Sequence, residues 1–133
     1  MIVDTSAVVA IIKGEPQREG LLDALRDTGP HQMAAPTAVE LGVVVDGLGD
    51  PVWSRRLDDL LDTLGIDIVE FTAAHAALAR AAYRDFGKGS GHPARLNLGD
   101  CFSYALARAT GEPLLFTGDD FTHTDVRPAY LRT

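Results

Sequence analysis

Two kinds of hydrophobic signal alternate along this chain, and the alternation limits its fold more than any other feature. Ile2-Val3, His31–Ala35, Ile66–Phe71 and Pro113–Thr117 are short apolar runs that read as strands. Between them lie stripes at helical spacing, opened by capping residues or proline and closed by glycine. Thr5 or Ser6 can cap a helix from Ala7 to Lys13 that Gly14 stops, and Pro16 can open a second one carrying Leu21, Leu22 and Leu25. Pro36-Thr37 opens a helix to about Leu48, and Asp50-Pro51 opens one whose Leu57, Leu60, Leu61 and Leu64 precede Gly65. Thr72 caps a helix to about Phe86, and Asn97 caps one with its stripe at Leu98, Phe102, Ala105, Leu106 and Ala109. A last short strand is predicted near Asp125-Val126-Arg127, and the glycine-rich stretch from Gly87 to Pro93 reads as a mobile loop. Strands separated by helices cannot pair as hairpins. The expected class is therefore α/β, with a mostly parallel sheet covered on both faces. Neither a repeat nor a linker divides residues 1–133, so one domain is expected.

Composition narrows the function classes. With 46% hydrophobic and 23% charged residues the 133-residue chain can bury one modest core, and disorder is excluded. No apolar run approaches the roughly 18 residues of a membrane span. Met1-Ile2-Val3-Asp4 lacks the basic stretch of a signal peptide, and the lone Cys101 permits no internal disulfide, so the expected compartment is the cytoplasm. The net charge of −7 argues against a nucleic-acid ligand. That charge is uneven, however. Residues 1–79 hold five basic and thirteen acidic side chains, whereas residues 80–98 hold Arg80, Arg84, Lys88 and Arg95 against Asp85 alone.

Ligands of parallel sheets bind beyond the carboxyl ends of the strands, and several acids fall there. Asp4 ends the first strand, and Asp119-Asp120 follow the last strong one. Asp100 lies in the first turn of the helix before that strand, and Glu40 in the first turn of the helix after the 31–35 run. Carboxylates gathered at one edge repel each other unless cations compensate them, and Mg²⁺ and Mn²⁺ prefer such hard oxygens. Two ions about 4 Å apart can hold an in-line attack on a phosphodiester. Each acid also has a simpler use. Asp4 can cap the first helix, Thr37-x-x-Glu40 and Asn97-x-x-Asp100 fit capping boxes, and Asp119-Asp120 suits a turn. The coincidence of four regions favours the metal reading.

The remaining candidates are weaker. His31, His75, His92 and His123 show no zinc spacing, and Gly87–Gly91 does not match a phosphate-binding loop. Ser6 is either a cap or a hydroxyl that orients Asp4. Arg80 and Arg84, four apart, form either a solvated face or a phosphate-contacting one. Trp53 and the leucines of the 51–64 helix read as core or as a partner contact. Two other functions stay open: a different Mg²⁺-dependent phosphohydrolase, and a non-catalytic protein whose acids bind a basic partner. Ser6 stands where a haloacid-dehalogenase-like site would carry its second Asp, which weakens the first of these.

Four segments together resemble the PIN-domain proteins, specifically the VapC-type toxins of bacterial toxin–antitoxin pairs. They are Met1–Ala7, Pro36–Glu40, Leu98–Ala105, and Leu114–Phe121 with Thr124-Asp125. The resemblance covers essentially the whole chain in order. It implies a three-layer α/β/α sandwich and an endoribonuclease dependent on one or two Mg²⁺ or Mn²⁺ ions. Asp4, Glu40 and Asp100 fall on the family's first three acidic positions. Asp119 is favoured as the fourth, with Asp120 beside it as a further metal ligand and Asp125 as another candidate. Thr5, Ser6, Asn97 and Thr117 fall where the family places supporting polar groups. Homodimerisation and neutralisation by a VapB antitoxin are also implied. RNA phosphates would then meet Arg80, Arg84, Lys88 and Arg95.

Overall fold

A computed structural model describes residues 1–27 and 29–130. Four strands form one parallel sheet in the order β3-β2-β1-β4: β1 is Ile2–Val3, β2 His31–Ala34, β3 Ile66–Val69 and β4 Leu114–Leu115. Ile2 pairs with Gln32 on one side and Leu114 on the other, and His31 through Ala34 run in register with Ile66 through Val69. Successive side chains of a strand point to opposite faces, and both faces here are apolar. Ile2, Ala34 and Leu114 join a core with Leu96, Cys101, Ala105, Leu106 and Phe121. Their neighbours Val3, Met33 and Leu115 join a second core with Ala7, Val8, Ile11, Leu21, Leu41, Val45 and Leu61. The three layers follow from that alternation.

Helices α1 (Thr5–Lys13), α2 (Arg18–Leu25), α3 (Ala35–Gly47) and α4 (Pro51–Thr63) cover one face, and α5 (Ala73–Phe86) and α6 (Leu98–Thr110) the other. Most boundaries match the sequence signals. Asp50 caps α4, Thr72 caps α5, and Gly14 and Gly111 take left-handed conformations that close α1 and α6. The leucines of α4 pack into the second core, Leu61 fully and Leu57 and Leu60 in part. The most exposed large apolar side chains lie on α3, where Val39 and Val43 are each 68% exposed.

The structure decides or refines four local readings. Asp4, not Thr5 or Ser6, caps α1, its carboxylate accepting from the Ser6 N–H. The Thr37-x-x-Glu40 capping box does not form. The helix begins earlier, at Ala35 with Pro36 in its first turn, so Thr37 is already inside and Glu40 lies a turn further on. The last strand is reduced to a single bridge between Leu114 and Pro128, held by hydrogen bonds of 2.8 Å from Leu114 N to Arg127 O and from Ala129 N to Leu114 O. Pro128, the bridged residue, has no N–H to offer on the side away from β4, so this edge presents one donor fewer. Finally, the 87–96 segment is tied at its base, where Lys88 N donates to Leu96 O at 2.8 Å and Leu96 N to Phe86 O at 2.9 Å. His92 stacks edge-on against Phe86, and Leu96 is buried.

Candidate active site

The carboxyl end of β1 sets the centre of the site. Asp4 N donates to Leu115 O at 3.0 Å, so the sheet itself fixes the backbone of Asp4. The side chain is buried, and three donors reach it. Ser6 N and Ser6 Oγ donate to Oδ2 at 3.1 and 2.7 Å, and Ser103 Oγ donates to Oδ1 at 2.6 Å. Burial nevertheless raises the Asp4 carboxyl above its ordinary value, with those hydrogen bonds acting against the rise. Ser6 Oγ in turn accepts from Thr117 N at 3.1 Å, which links the end of β4 to Asp4. Thr37 Oγ1, fully buried, lies 3.5 Å from Ser103 Oγ.

Helix α6 brings the second acid. Asn97 caps it by accepting from Asp100 N at 2.9 Å, and Asp100 Oδ2 accepts from Asn97 N at 3.0 Å. The capping box read from the sequence therefore exists, and the same carboxylate serves the site. Burial, aided by repulsion from the Asp4 and Asp120 carboxylates, pushes Asp100 up to about 7, with the Asn97 N–H opposing. A carboxyl raised in this way sits in a region of excess negative charge. Asp120, the first residue of a 3₁₀ turn over Asp120–His123, supplies part of that charge.

Glu40 enters from α3. Thr5 Oγ1 donates to its Oε1 at 2.6 Å, and its carboxylate lies over Gly99, where a Cβ would overlap it. Gly99 thus lets α3 and α6 present Glu40 beside the first turn that carries Asp100.

Several sequence candidates lie elsewhere. Asp119 lines a neighbouring cavity with Thr117, and Asp125 accepts from Tyr104 Oη at 2.7 Å and sits 3.5 Å from Arg108 Nη1. Burial and the Asp125 acceptor together hold the Tyr104 hydroxyl well above its usual range. Arg80, Lys88 and Arg95 are exposed, and Arg84 is occupied by Asp85, at 2.9 Å from Nε to Oδ1. Two contributors escaped the sequence reading. Ser103 lies one turn after Asp100 on the same helix face, and that spacing was the available signal. Gly99 carried only the weaker hint of a glycine in the first turn of a helix.

Hard oxygens, mutual repulsion and the lack of a cationic hydrogen-bond partner for Asp4 or Asp100 among the described residues suit this donor set to a divalent cation. As the side chains stand, no three His, Cys, Asp or Glu groups among the described residues are gathered closely enough to hold an ion. No helix among the described residues is long and apolar enough to cross a membrane.

Residues 1–126 match the family model described as PIN domain. The chain is 57% identical over 129 residues to Ribonuclease VapC42 of Mycobacterium tuberculosis, covering 97% of this chain and 98% of that one. Among solved structures, a toxin–antitoxin complex from Klebsiella pneumoniae superposes with a TM-score of 0.72 at 18% identity, over 97% of each chain. The crystal structure of Mycobacterium tuberculosis VapC20, titled a Sarcin-Ricin loop cleaving toxin, gives a TM-score of 0.70 at 16% identity, over 96% of this chain and 98% of that one.

Proposed function

Since the chain belongs to the PIN-domain family and, within it, to the VapC ribonucleases, we propose that it is the toxin of a toxin–antitoxin pair, a divalent-metal endoribonuclease that hydrolyses RNA phosphodiester bonds. The observation that carries this reading is the placing of the buried Asp4, held by Ser6 and Ser103, and of Asp100 in the first turn of α6 at the carboxyl edge of a parallel sheet, with the Asp4 and Asp120 carboxylates adding to the rise at Asp100. Charge of that kind, left uncompensated by the protein, is what a bound cation balances. Asp4 and Asp100 would hold it together with Asp119 or Asp120, with Glu40 at its margin, and we take Mg²⁺ or Mn²⁺, one ion or two, as the species. Such an ion supplies a water of lowered pKa and stabilises charge on the phosphate.

The chain's own residues do the positioning. Ser6 and Ser103 hold both oxygens of Asp4, so its carboxylate faces the site in one orientation. Asn97 fixes Asp100 through the capping box. Thr5 holds Glu40, whose free oxygen can accept a proton from an attacking water. The exposed Arg80, Lys88 and Arg95 are placed to meet RNA phosphates, and Arg84 can join them by leaving Asp85. Single-stranded or looped RNA is the accessible substrate, because its backbone can bend into the pocket.

A VapB antitoxin is the partner that this family membership brings. The exposed valines of α3 form apolar surface for it or for a second copy of the chain in a cytoplasmic homodimer. Residues 1–133 then act as a single PIN domain. The test is cleavage of total cellular RNA by purified protein with Mg²⁺ or Mn²⁺, beside Asp4→Asn and Asp100→Asn. Discrete fragments from the wild type alone are expected. Equal fragments from all three proteins would overturn the assignment.

A further inference from the structure

The loop between α5 and α6, closed at its base by a bridge from Gly87 to Leu96, holds one backbone departure among the described residues. Arg95 has φ +51°, in the left-handed region where a Cβ is crowded. Every other positive-φ position among the described residues is a glycine, Gly89 and Gly91 of the same loop included. An arginine here therefore works against stability. Strain of this kind persists only where the surroundings over-determine the conformation, and it collects at functional sites.

The surroundings of Arg95 do over-determine it. Ala94 and Leu96, on either side, are buried. Ala94 N donates to His92 Nδ1 at 3.1 Å, and the His92 ring lies edge-on to Phe86 with centroids 4.8 Å apart. Leu96 is held in both directions, its N–H by Phe86 O and its carbonyl by Lys88 N. Arg95 itself is exposed, and none of the ion pairs among the described residues engages it. A guanidinium on a fixed stem is thus available to an outside anion. Its place relative to the acids is also fixed. Asn97, two residues on, donates its N–H to Asp100 Oδ2 at 3.0 Å. Two residues span at most about 7 Å, so the arm of Arg95 starts about one nucleotide's length from the group that holds Asp100.

We propose that residues 87–96 form a phosphate clamp, in which Arg95 grips the RNA phosphate adjoining the scissile one and His92 locks the turn that aims it. The inference rests on the ribonuclease reading for its ligand. A guanidinium suits a phosphate because its planar fork offers two parallel N–H donors to two oxygens. The adjoining phosphate is the target because Asp4 and Asp100 serve the scissile one. A contact to the backbone carries no sequence preference. It sets the register, fixing which bond lies over the acids. Lys88 carries the same charge in the same loop without the strained backbone, and its ammonium is a point charge on a flexible stem.

The experiment measures kcat and KM for cleavage of a single-stranded RNA by the full chain, with a melting curve for each variant. Arg95→Gly removes the grip and relieves the backbone. Its melting midpoint should match the wild type or exceed it by up to about 3 °C. Its KM should rise about tenfold while kcat stays within about twofold, the signature of lost uniform binding. Its RNA affinity should also lose about 0.7 of a unit of log–log salt slope, one single-strand phosphate. Arg95→Lys keeps the charge without the fork and should recover only part of the KM. His92→Ala should raise KM about threefold through positioning alone. An unchanged KM in Arg95→Gly, or an equal loss in Lys88→Ala, would overturn the proposal. A midpoint several degrees lower in Arg95→Gly would do so too, by making the arginine a stabilising element. A second measurement separates the clamp from the ribonuclease reading. The same RNA is titrated into Asp100→Asn protein in EDTA, with and without Arg95→Gly. Arg95-dependent binding, beside a wild type that cuts no RNA, would leave the clamp standing and remove the nuclease. Cleavage by the wild type with an affinity indifferent to Arg95 would do the reverse.

Discussion

Asp119 and Asp120 are neighbours in the chain but face different surroundings. Asp120 contributes to the charge that pushes Asp100 up to about 7, and Asp119 lines the cavity with Gln17 and Tyr130. The two regions they serve are built differently. On the acidic side every oxygen of Asp4 has a dedicated donor from α1 or α6. On the cavity side the polar groups come from loops and a helix end, and Gln17 has a buried oxygen to spare. The first arrangement is suited to holding charge in one geometry, and the second to gaining its last hydrogen bonds from a ligand. A carboxylate with all its acceptors engaged thus adjoins a cavity with an unpaired amide oxygen.

That contrast can be broken most directly on the acidic side. Asp100→Asn should reduce RNA cleavage by more than about 100-fold with the fold intact, exceeding the effect of removing a group that only orients a ligand. Retained turnover, measured with circular dichroism as the check on folding, would remove Asp100 from the chemistry. Ser103→Ala is the next test. It deletes one donor to Asp4 and should lower activity by roughly 10–100-fold, with apparent metal affinity falling alongside. A change in melting temperature with no change in metal dependence would make Ser103 merely structural.

Proton linkage sharpens the same contrast. Asp100 is raised in the folded state from an ordinary 3.8 to about 7, so the native protein keeps a proton that the unfolded chain releases. Its contribution to metal-free stability is therefore largest below the ordinary carboxylate range and is lost as pH rises through about 7. Melting of wild type in EDTA should fall relative to Asp100→Asn over that interval. Mg²⁺ should raise the wild-type midpoint more at pH 8 than at pH 5.5. Parallel curves for the two proteins would show that Asp100 does not carry the raised pKa. The smallest effect is expected from Arg80→Glu, which should weaken RNA binding a few-fold at low salt and reduce the salt dependence by about one phosphate contact. Unchanged affinity would remove that helix face from the substrate path.

Much of the fold was legible because caps and stop signals are local. Asp50-Pro51, Thr72 and Asn97 begin helices where the sequence puts them, and the alternation of Ile2 with Val3 and of Leu114 with Leu115 predicts layers on both faces. Asp4 and Asp100 were legible for a related reason: strand ends and first turns place side chains by rule. Glu40 was found, but with the wrong simpler use, since the helix starts two residues before Thr37 and no capping box forms. The roles of Asp119 and Asp120 could not be separated, because a turn sends consecutive side chains in directions that depend on tertiary packing. The ties at the base of the glycine-rich loop, through Phe86, His92 and Leu96, were not legible because composition does not encode those contacts.

The Ser6 hydroxyl has one hydrogen and two neighbours. Thr117 N–H can only donate to it, so its own hydrogen must point at Asp4 Oδ2, where the Ser6 N–H also points. Ser103 is different, because its hydroxyl can swing from Asp4 Oδ1 toward Thr37. The carboxylate therefore has two unequal ends. Oδ2 is gripped by a residue that also answers to β4, whereas Oδ1 is held by a hydroxyl with a second partner within its reach.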